Sequence, residues 1–309
     1  MPKHLLYSSS STSRVTSKSL IRSPAKRKVR TPTKTPTVKT LEQLVYITDA
    51  TLDYQLDTST DVLNALDHIV DNLWEDFPQA GVSKKLMSEV AALRRGIPKA
   101  ATVHQLYTVF RDQTYVDREL QRAFADNTIK RIRVNSDNEF SIRTAHYDAV
   151  LQEGLRKDIS SETRTLLEQF SHLMNAYNFV SIEREKMQAH GFTPPQLSKL
   201  VDLGFLTLFQ TSTDSTSVVY SLSLPNIGLL LKVLMHARKW LAKSITIHNR
   251  SWKEITDTQL AARWESSKAK WSGFKGIRMT WVLYDCLGAG TLEVFRTPVG
   301  VAWKLTGKV

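Results

Sequence analysis

A single cysteine, Cys286, in 309 residues excludes an internal disulfide and any zinc site built on several thiolates. That scarcity fits a reducing compartment, cytosolic or nuclear. No apolar run approaches the ~20 residues that a membrane-spanning helix needs. The longest, from Ile227 to Met235, is interrupted by Gly228 and Lys232. The N-terminus is basic but has no apolar segment like that of a secretory signal. The 12 glycines never fall into G-x-G-x-x-G, and G-x-x-x-x-G-K-[ST] does not occur. H-R-D and D-F-G are missing as well, so neither a protein-kinase site nor a P-loop can be assembled. Gly288-Ala289-Gly290 comes nearest, but it follows a helical pattern and reads as a hinge. The 8 histidines form no H-x-x-x-H or H-E-x-x-H pair, and Glu183 and Glu185 read as surface charge. His104 and His172 read as packed or capping residues, and Cys286 as a buried small hydrophobe. No catalytic residue, metal or cofactor is expected.

What the sequence does hold is positive charge in separate blocks. The formal net charge is +12. Residues 1–40 carry ten Lys and Arg and no acid; residues 41–90 carry two bases against ten acids. Residues 91–149 come to +3, residues 150–231 to −2 and residues 232–309 to +9. Basic blocks set apart in this way point to surfaces for a polyanion. The tail is rich in Ser, Thr, Pro, Lys and Arg without apolar period, and reads as disordered. Within it SPAKRKVR places Lys26, Arg27, Lys28 and Arg30 in a cluster of the nuclear-import kind; the alternative is a solvated tail touching nucleic acid non-specifically. Ser23, Thr31 and Thr35 each precede a proline, where phosphorylation would cancel positive charge. The acidic face over 49–76 reads either as a docking surface for a basic partner or as a solvated face.

Apolar spacing organises the rest. In residues 103–143, Val116, Leu120, Ala123 and Phe124 recur at helical spacing, after which the period changes to two. Ile132 and Val134 then share one face of a strand and Arg131 and Arg133 the other. Asn135 to Asn138 turn the chain, and Phe140 and Ile142 return. Helices are also expected over 61–75, 83–95, 145–157, 162–178 and 181–190, and from Pro194 to Gly204 behind a Thr193 cap. Strands at 205–210 and 218–224 flank the turn TSTDSTS. Helices over 226–244, 253–264 and 277–287 follow, with a basic loop at 265–275 and strands at 291–297 and 301–306. Three segments therefore share one form, an amphipathic helix, a hinge and a strand, with hinges at Asn127, Gly204 and Gly290 that lie 77 and 86 residues apart. The reading that covers all three is a helix-rich α+β fold of three tandem winged-helix domains. It places a basic tail at 1–40, an acidic linker at 41–58, and winged helices at 59–158, 159–225 and 226–309.

Candidate phosphate contacts follow from the charge. The first unit offers Arg111, Arg118, Arg122, Lys130, Arg131, Arg133 and Arg143; the second offers little beyond Lys199. The third offers Lys268, Lys270, Lys275, Arg278 and Arg296, with Arg238, Lys239 and Lys243 on its long helix. The expectation is that the first and third units hold double-stranded DNA and the second is a spacer or protein contact. No Asn or Gln pair stands out as a base reader, so contact is expected to backbone and shape. The six tryptophans from Trp240 to Trp303 either stack bases or fill a core. A protein-interaction scaffold with little DNA binding is the competing reading, and a homodimer on DNA is a further possibility for assembly.

VHQLYTVFRDQTYVDRELQRAFADNTIKRIRV, LSKLVDLGFLTLF and IRMTWVLYDCLGAGTLEVFRTPVGVAWKLTG resemble the family known as serine/threonine-protein kinase 19, over about residues 60–309. HQLY followed by VDRELQR, and DCLGAG before the last hairpin, are the most specific pieces. The resemblance implies three winged helices despite the kinase name. It also implies a nuclear DNA-binding protein of transcription-coupled nucleotide excision repair. Its expected partners are stalled RNA polymerase II, the Cockayne-syndrome ubiquitin-ligase adaptor and TFIIH, which it would bridge as a scaffold.

Overall fold

Residues 54–57, 59–110, 112–156, 160–209, 218–248 and 253–307 are described by the computed structural model. The tail with Lys26, Arg27, Lys28 and Arg30, the acidic residues before Tyr54, Arg111, the TSTDSTS turn and Trp252 lie outside the described residues.

Within these limits one order of elements occurs three times: helix, short strand, two helices, two-stranded hairpin. In the first unit these are α1 (Val62–Asp71), an additional α2 (Lys84–Gly96), β1 (Ala101–Thr102), α3 (Val103–Val109), α4 (Gln113–Ala125), β2 (Ile129–Asn135) and β3 (Asn138–Arg143). α5 (Thr144–Arg156) leads to the second: α6 (Ser161–Ala176), β4 (Ser181–Glu183), α7 (Arg184–Ala189), α8 (Pro194–Asp202), β5 (Leu206–Phe209) and β6 (Val219–Leu222). The third comprises α9 (Ile227–His248), β7 (Glu254–Thr256), α10 (Asp257–Glu265), the one-turn α11 (Ala269–Ser272), α12 (Met279–Gly288), β8 (Leu292–Thr297) and β9 (Gly300–Leu305). The three sheets share one antiparallel plan, β1-β3-β2, β4-β6-β5 and β7-β9-β8.

The local chemistry explains the boundaries. Asp61, Ser83, Thr102, Asp112, Ser160 and Thr256 each accept a backbone N–H of the following first turn. Thr193 and Gln196 form a capping box at α8, with prolines at the start of the helix. Each helix-to-hairpin hinge bends through a residue of positive φ: Asn127 at 54°, Gly204 at 84° and Gly290 at 68°. Only glycine, and less readily asparagine, adopts that conformation at low cost. Two expectations are corrected. Residues 181–183 and 254–256 are strands, where a helix was expected, and the loop at 265–275 contains a helical turn.

The first and third units share a core. In α12, Trp281 to Cys286 are buried without a break, more than the single stripe of a helix with one free face. Trp281 donates its indole N–H to the Ile69 carbonyl of α1 at 3.0 Å. Thr108 donates to the Tyr284 carbonyl at 2.5 Å, and Gln105 donates to that of Trp281. A Cβ on Gly288 would collide with the carbonyl of His104, so α3 and α12 meet backbone to backbone there. The second unit joins the first through Asn178, whose amide donates to the carbonyls of Phe124 at 2.6 Å and Ile129 at 3.1 Å.

Gly288→Ala is therefore expected to lower stability by about 2–3 kcal/mol, the cost of forcing packed backbones apart. Gly228→Ala, on the open side of α9 with nothing within 4 Å of the new Cβ, should be neutral or stabilising by about 0.5 kcal/mol. Urea midpoints for the two variants check the opposite signs.

Candidate nucleic-acid interface

α4 and the β2–β3 wing carry four arginines of the first unit, Arg118 and Arg122 on the helix and Arg131 and Arg133 on the hairpin. α4 buries Val116, Leu120 and Ala123, which turns Asp117, Arg118, Gln121 and Arg122 outward. The side chains of Arg118 and Arg122 are 66% and 64% exposed. In the wing, Arg131 pairs with Ser141 and Arg133 with Glu139, while Ile132 packs across from Phe140. Glu139 lies between the two arginines, 2.5 Å from Arg131 and 3.0 Å from Arg133. Arg131 also donates to Gln121 Oε1 at 3.3 Å, which ties the wing to α4. Glu119 plays the matching part on the helix, 3.0 Å from Arg122 and 3.8 Å from Arg118. The pairs of the exposed Arg118, Arg122 and Arg133 contribute roughly 0–1 kcal/mol, so a phosphate can compete for these guanidinium groups, whereas the half-buried Arg131 is held by Glu139 and Gln121. At the wing tip, Asn135 Oδ1 accepts from the Asp137 amide at 3.1 Å and the Asn138 side chain at 2.9 Å.

Several expected phosphate contacts serve the interior instead. Lys130 is fully buried and donates to Asn127 Oδ1 at 2.6 Å and to the Met174 carbonyl at 2.7 Å, a clamp between the first two units. Burial pushes its ammonium down to about 8, against a weaker opposing pull from Asp148. Arg143 grips Asp67 of α1, at 2.7 Å from one carboxylate oxygen and 3.0 Å from the other. Lys270 is buried with Glu75 and Glu265 each at 2.6 Å; burial lowers its pKa, but these two carboxylates outweigh that and raise it. Arg278 holds the Trp74 carbonyl at 3.1 Å and Asn72 at 2.9 Å. Lys275 is not interior but half-buried, and at the surface it donates to the Ser272 carbonyl of its own loop at 2.6 Å. The acidic face thus gives Asp67 and Glu75 to internal pairs. Trp264, Trp281 and Trp303 lie in the core, Trp240 meets Trp264 edge-on at 5.3 Å, and Trp271 stacks on Phe77 at 5.7 Å.

Arg238 has the most consequential internal position. Its Nε lies 2.6 Å from Asp285 Oδ2, and its Nη1 donates to Asn138 Oδ1 of the first wing at 2.8 Å. Asp285 is fully buried on α12 and also accepts from Thr102 at 2.6 Å, with His104 Nδ1 3.8 Å away. Burial works to raise the carboxyl pKa, but His104, Arg238 and Thr102 together hold it below the usual range. Neighbouring Cys286 is buried and pushed up to about 12, an inert thiol. Lys199 on α8, Lys239 and Lys243 on α9, Lys268, and Arg296 on β8 stand at the exposed surface.

Two residues of weight escaped the sequence reading. Arg94 of α2 donates to the carbonyls of Lys275, Glu75 and Gly276 at 2.7–3.0 Å and lies over the rings of Trp74 and Phe77. Burial lowers its pKa to about 10, with Glu75 and Asp76 opposing. Lys232 is exposed on α9, on the same side as Lys239 and Lys243.

The depressed Lys130 pKa has a definite sign. Between about 8 and 10.5 the unfolded chain holds this proton more tightly than the folded one, so folding gains stability as pH rises through that window. Relative to Lys130→Met, the native chain should gain urea resistance from pH 8 to 10 and show no change below pH 8. A flat difference across the window contradicts the buried cation.

Residues 70–305 match the family described as inactive serine-threonine protein kinase 19. Serine/threonine-protein kinase mug51 of Schizosaccharomyces pombe is 25% identical over 256 residues, covering 80% of this chain and 77% of that protein. Winged helix repair factor 1 of Xenopus laevis is 23% identical over 212 residues, covering 68% of this chain and 76% of that protein. The family match runs from the end of α1 to the last residue of β9 and so takes in all three sheets. The chain belongs to the inactive serine-threonine protein kinase 19 family.

Proposed function

We propose that the three units are tandem winged helices and that the chain is a non-catalytic, nuclear scaffold of transcription-coupled nucleotide excision repair that grips duplex DNA by its backbone. The repeated strand order and the hairpin after each third helix support the winged-helix reading. A relative named for a winged helix and for repair, and a family described as inactive, support a non-enzymatic repair role. The observation that carries DNA contact is the surface of α4 and its wing, where Arg118, Arg122 and Arg133 are exposed and the half-buried Arg131 ties the wing to the helix. The third helix of the third unit, α12, is buried, and the exposed basic residue on α8 is Lys199, so the first unit is the principal phosphate holder. The second unit serves as spacer or protein contact. Stalled RNA polymerase II, the Cockayne-syndrome ubiquitin-ligase adaptor and TFIIH are the proposed partners, on the family resemblance.

A protein-binding scaffold with little DNA affinity is the second reading. Glu119 and Glu139 favour it, because they already occupy the arginines of the surface. Salt-titrated binding of the full chain to duplex DNA separates the two. With Arg118, Arg122 and Arg133 each changed to Glu, affinity should fall similarly for unrelated sequences. The slope of log K against log salt should shrink by about 0.9 for each phosphate no longer neutralised. Absence of binding at low salt, together with a partner complex that survives nuclease, would establish the protein-only reading.

A further inference from the structure

α9 runs for 22 residues without a single Asp or Glu. It buries Ile227, Leu230, Val233, Leu234, Ala237 and Leu241. On the opposite side Lys232, His236, Lys239 and Lys243 are exposed. Steps of four, three and four residues hold them in a band roughly 60° wide and about 16 Å long, at 3.6 residues per turn and 1.5 Å per residue. None of the three lysines forms an ion pair with a described residue. The contrast with α4 is physical. There each arginine shares a carboxylate, whereas a phosphate approaching α9 displaces only water and small ions.

The band meets the first wing at Lys239. A cleft of about 870 Å³ separates them, lined by Lys239 and Ala242 of α9, by Ser136, Asp137 and Arg131 of the wing, and by Leu292 of β8. Arg238, next to Lys239, bonds Asn138 of the wing turn across this junction and fixes the two sides together. Asp137, at the wing tip, is the carboxylate of the cleft without an ion pair among the described residues; Glu139 is occupied by Arg131 and Arg133.

We propose that α9 is a second phosphate track, on which the backbone of the duplex held by α4 and the wing continues across the cleft. The inference rests on the duplex-binding reading above. It adds that the third unit reaches DNA through its first helix, since its third is enclosed. A 16 Å band matches on the order of five phosphates at 3.4 Å of rise per strand residue. Asp137 limits the affinity of this track by repelling the backbone between its two walls.

The test is salt-titrated binding of the full chain to a 30-base-pair duplex. Lys232→Gln, Lys239→Gln and Lys243→Gln combined should reduce the salt slope by about two to three and weaken binding about tenfold or more at moderate salt. These side chains are exposed, so urea midpoints should not move. Asp137→Asn should tighten binding about twofold. If Arg118→Gln with Arg122→Gln lowers the slope but the lysine triple does not, the track on α9 is refuted and the duplex-binding reading stands. If the native chain does not bind the duplex at low salt, the reading beneath it fails. Should the triple variant keep its duplex affinity yet lose binding to a polyglutamate peptide or to phosphatidylserine vesicles, the band belongs to an acidic protein or membrane partner and the proposal is overturned.

Discussion

The arrangement of the molecule depends on one buried carboxylate. Asp285 sits on α12 with no exposed surface and is met by Thr102 from the first unit and Arg238 from α9. Isolated, such a charge would cost several kcal/mol; paired and hydrogen-bonded, it tolerates few alternative placements of its partners. It therefore fixes the register of three elements at once. α12 is seated against β1 and α3, α9 lies alongside α12, and the wing turn at Asn138 is braced by the other arm of the same arginine. The backbone approach at Gly288 and the Trp281 bond to Ile69 follow from that seating.

One plan repeated three times has thus been put to different uses. In the first unit the third helix faces outward with its arginines. In the third unit the equivalent helix is enclosed, and basic residues around it have become internal fasteners: Arg238 for Asp285, Arg278 for the Trp74 carbonyl, Lys270 for Glu75 and Glu265. What the third unit keeps for solvent is the acid-free side of α9, with Lys268 and Arg296 exposed elsewhere on the unit. Between them, Lys130 and Asn178 hold the second unit to the first. Net charge alone therefore overstates the surface available to a polyanion, since Arg238, Lys270 and Arg278 of the C-terminal block are held by internal partners.

Much of this was legible in the sequence, and the residues that were not share a cause. The long helices and the hairpins carry enough turns for a period to show, and the hinges at Asn127, Gly204 and Gly290 announce themselves by residue type and adopt the positive φ that such residues allow. β1, β4 and β7 do not, because two or three residues are too few to display alternation. The fates of Lys130, Arg143, Lys270 and Arg278 were equally invisible. Each is decided by a partner far along the chain, Met174, Asp67, Glu75 and Trp74 respectively. Residue type says that a cation wants an acceptor; only the tertiary arrangement says whether that acceptor is a phosphate or a neighbour. Arg94, whose three carbonyl acceptors come from backbone, leaves no sequence signal at all.

Hydrogen exchange of the α12 amides, read with and without duplex DNA, probes the enclosed helix most directly. If α12 is locked between α1, α3 and α9, its amides exchange only with global unfolding, and duplex leaves their rates unchanged relative to that limit while α4 and the wing become slower. Fast exchange of α12 in the free chain, with protection appearing only on addition of duplex, would contradict the shared core and return the third helix of the third unit to the DNA surface.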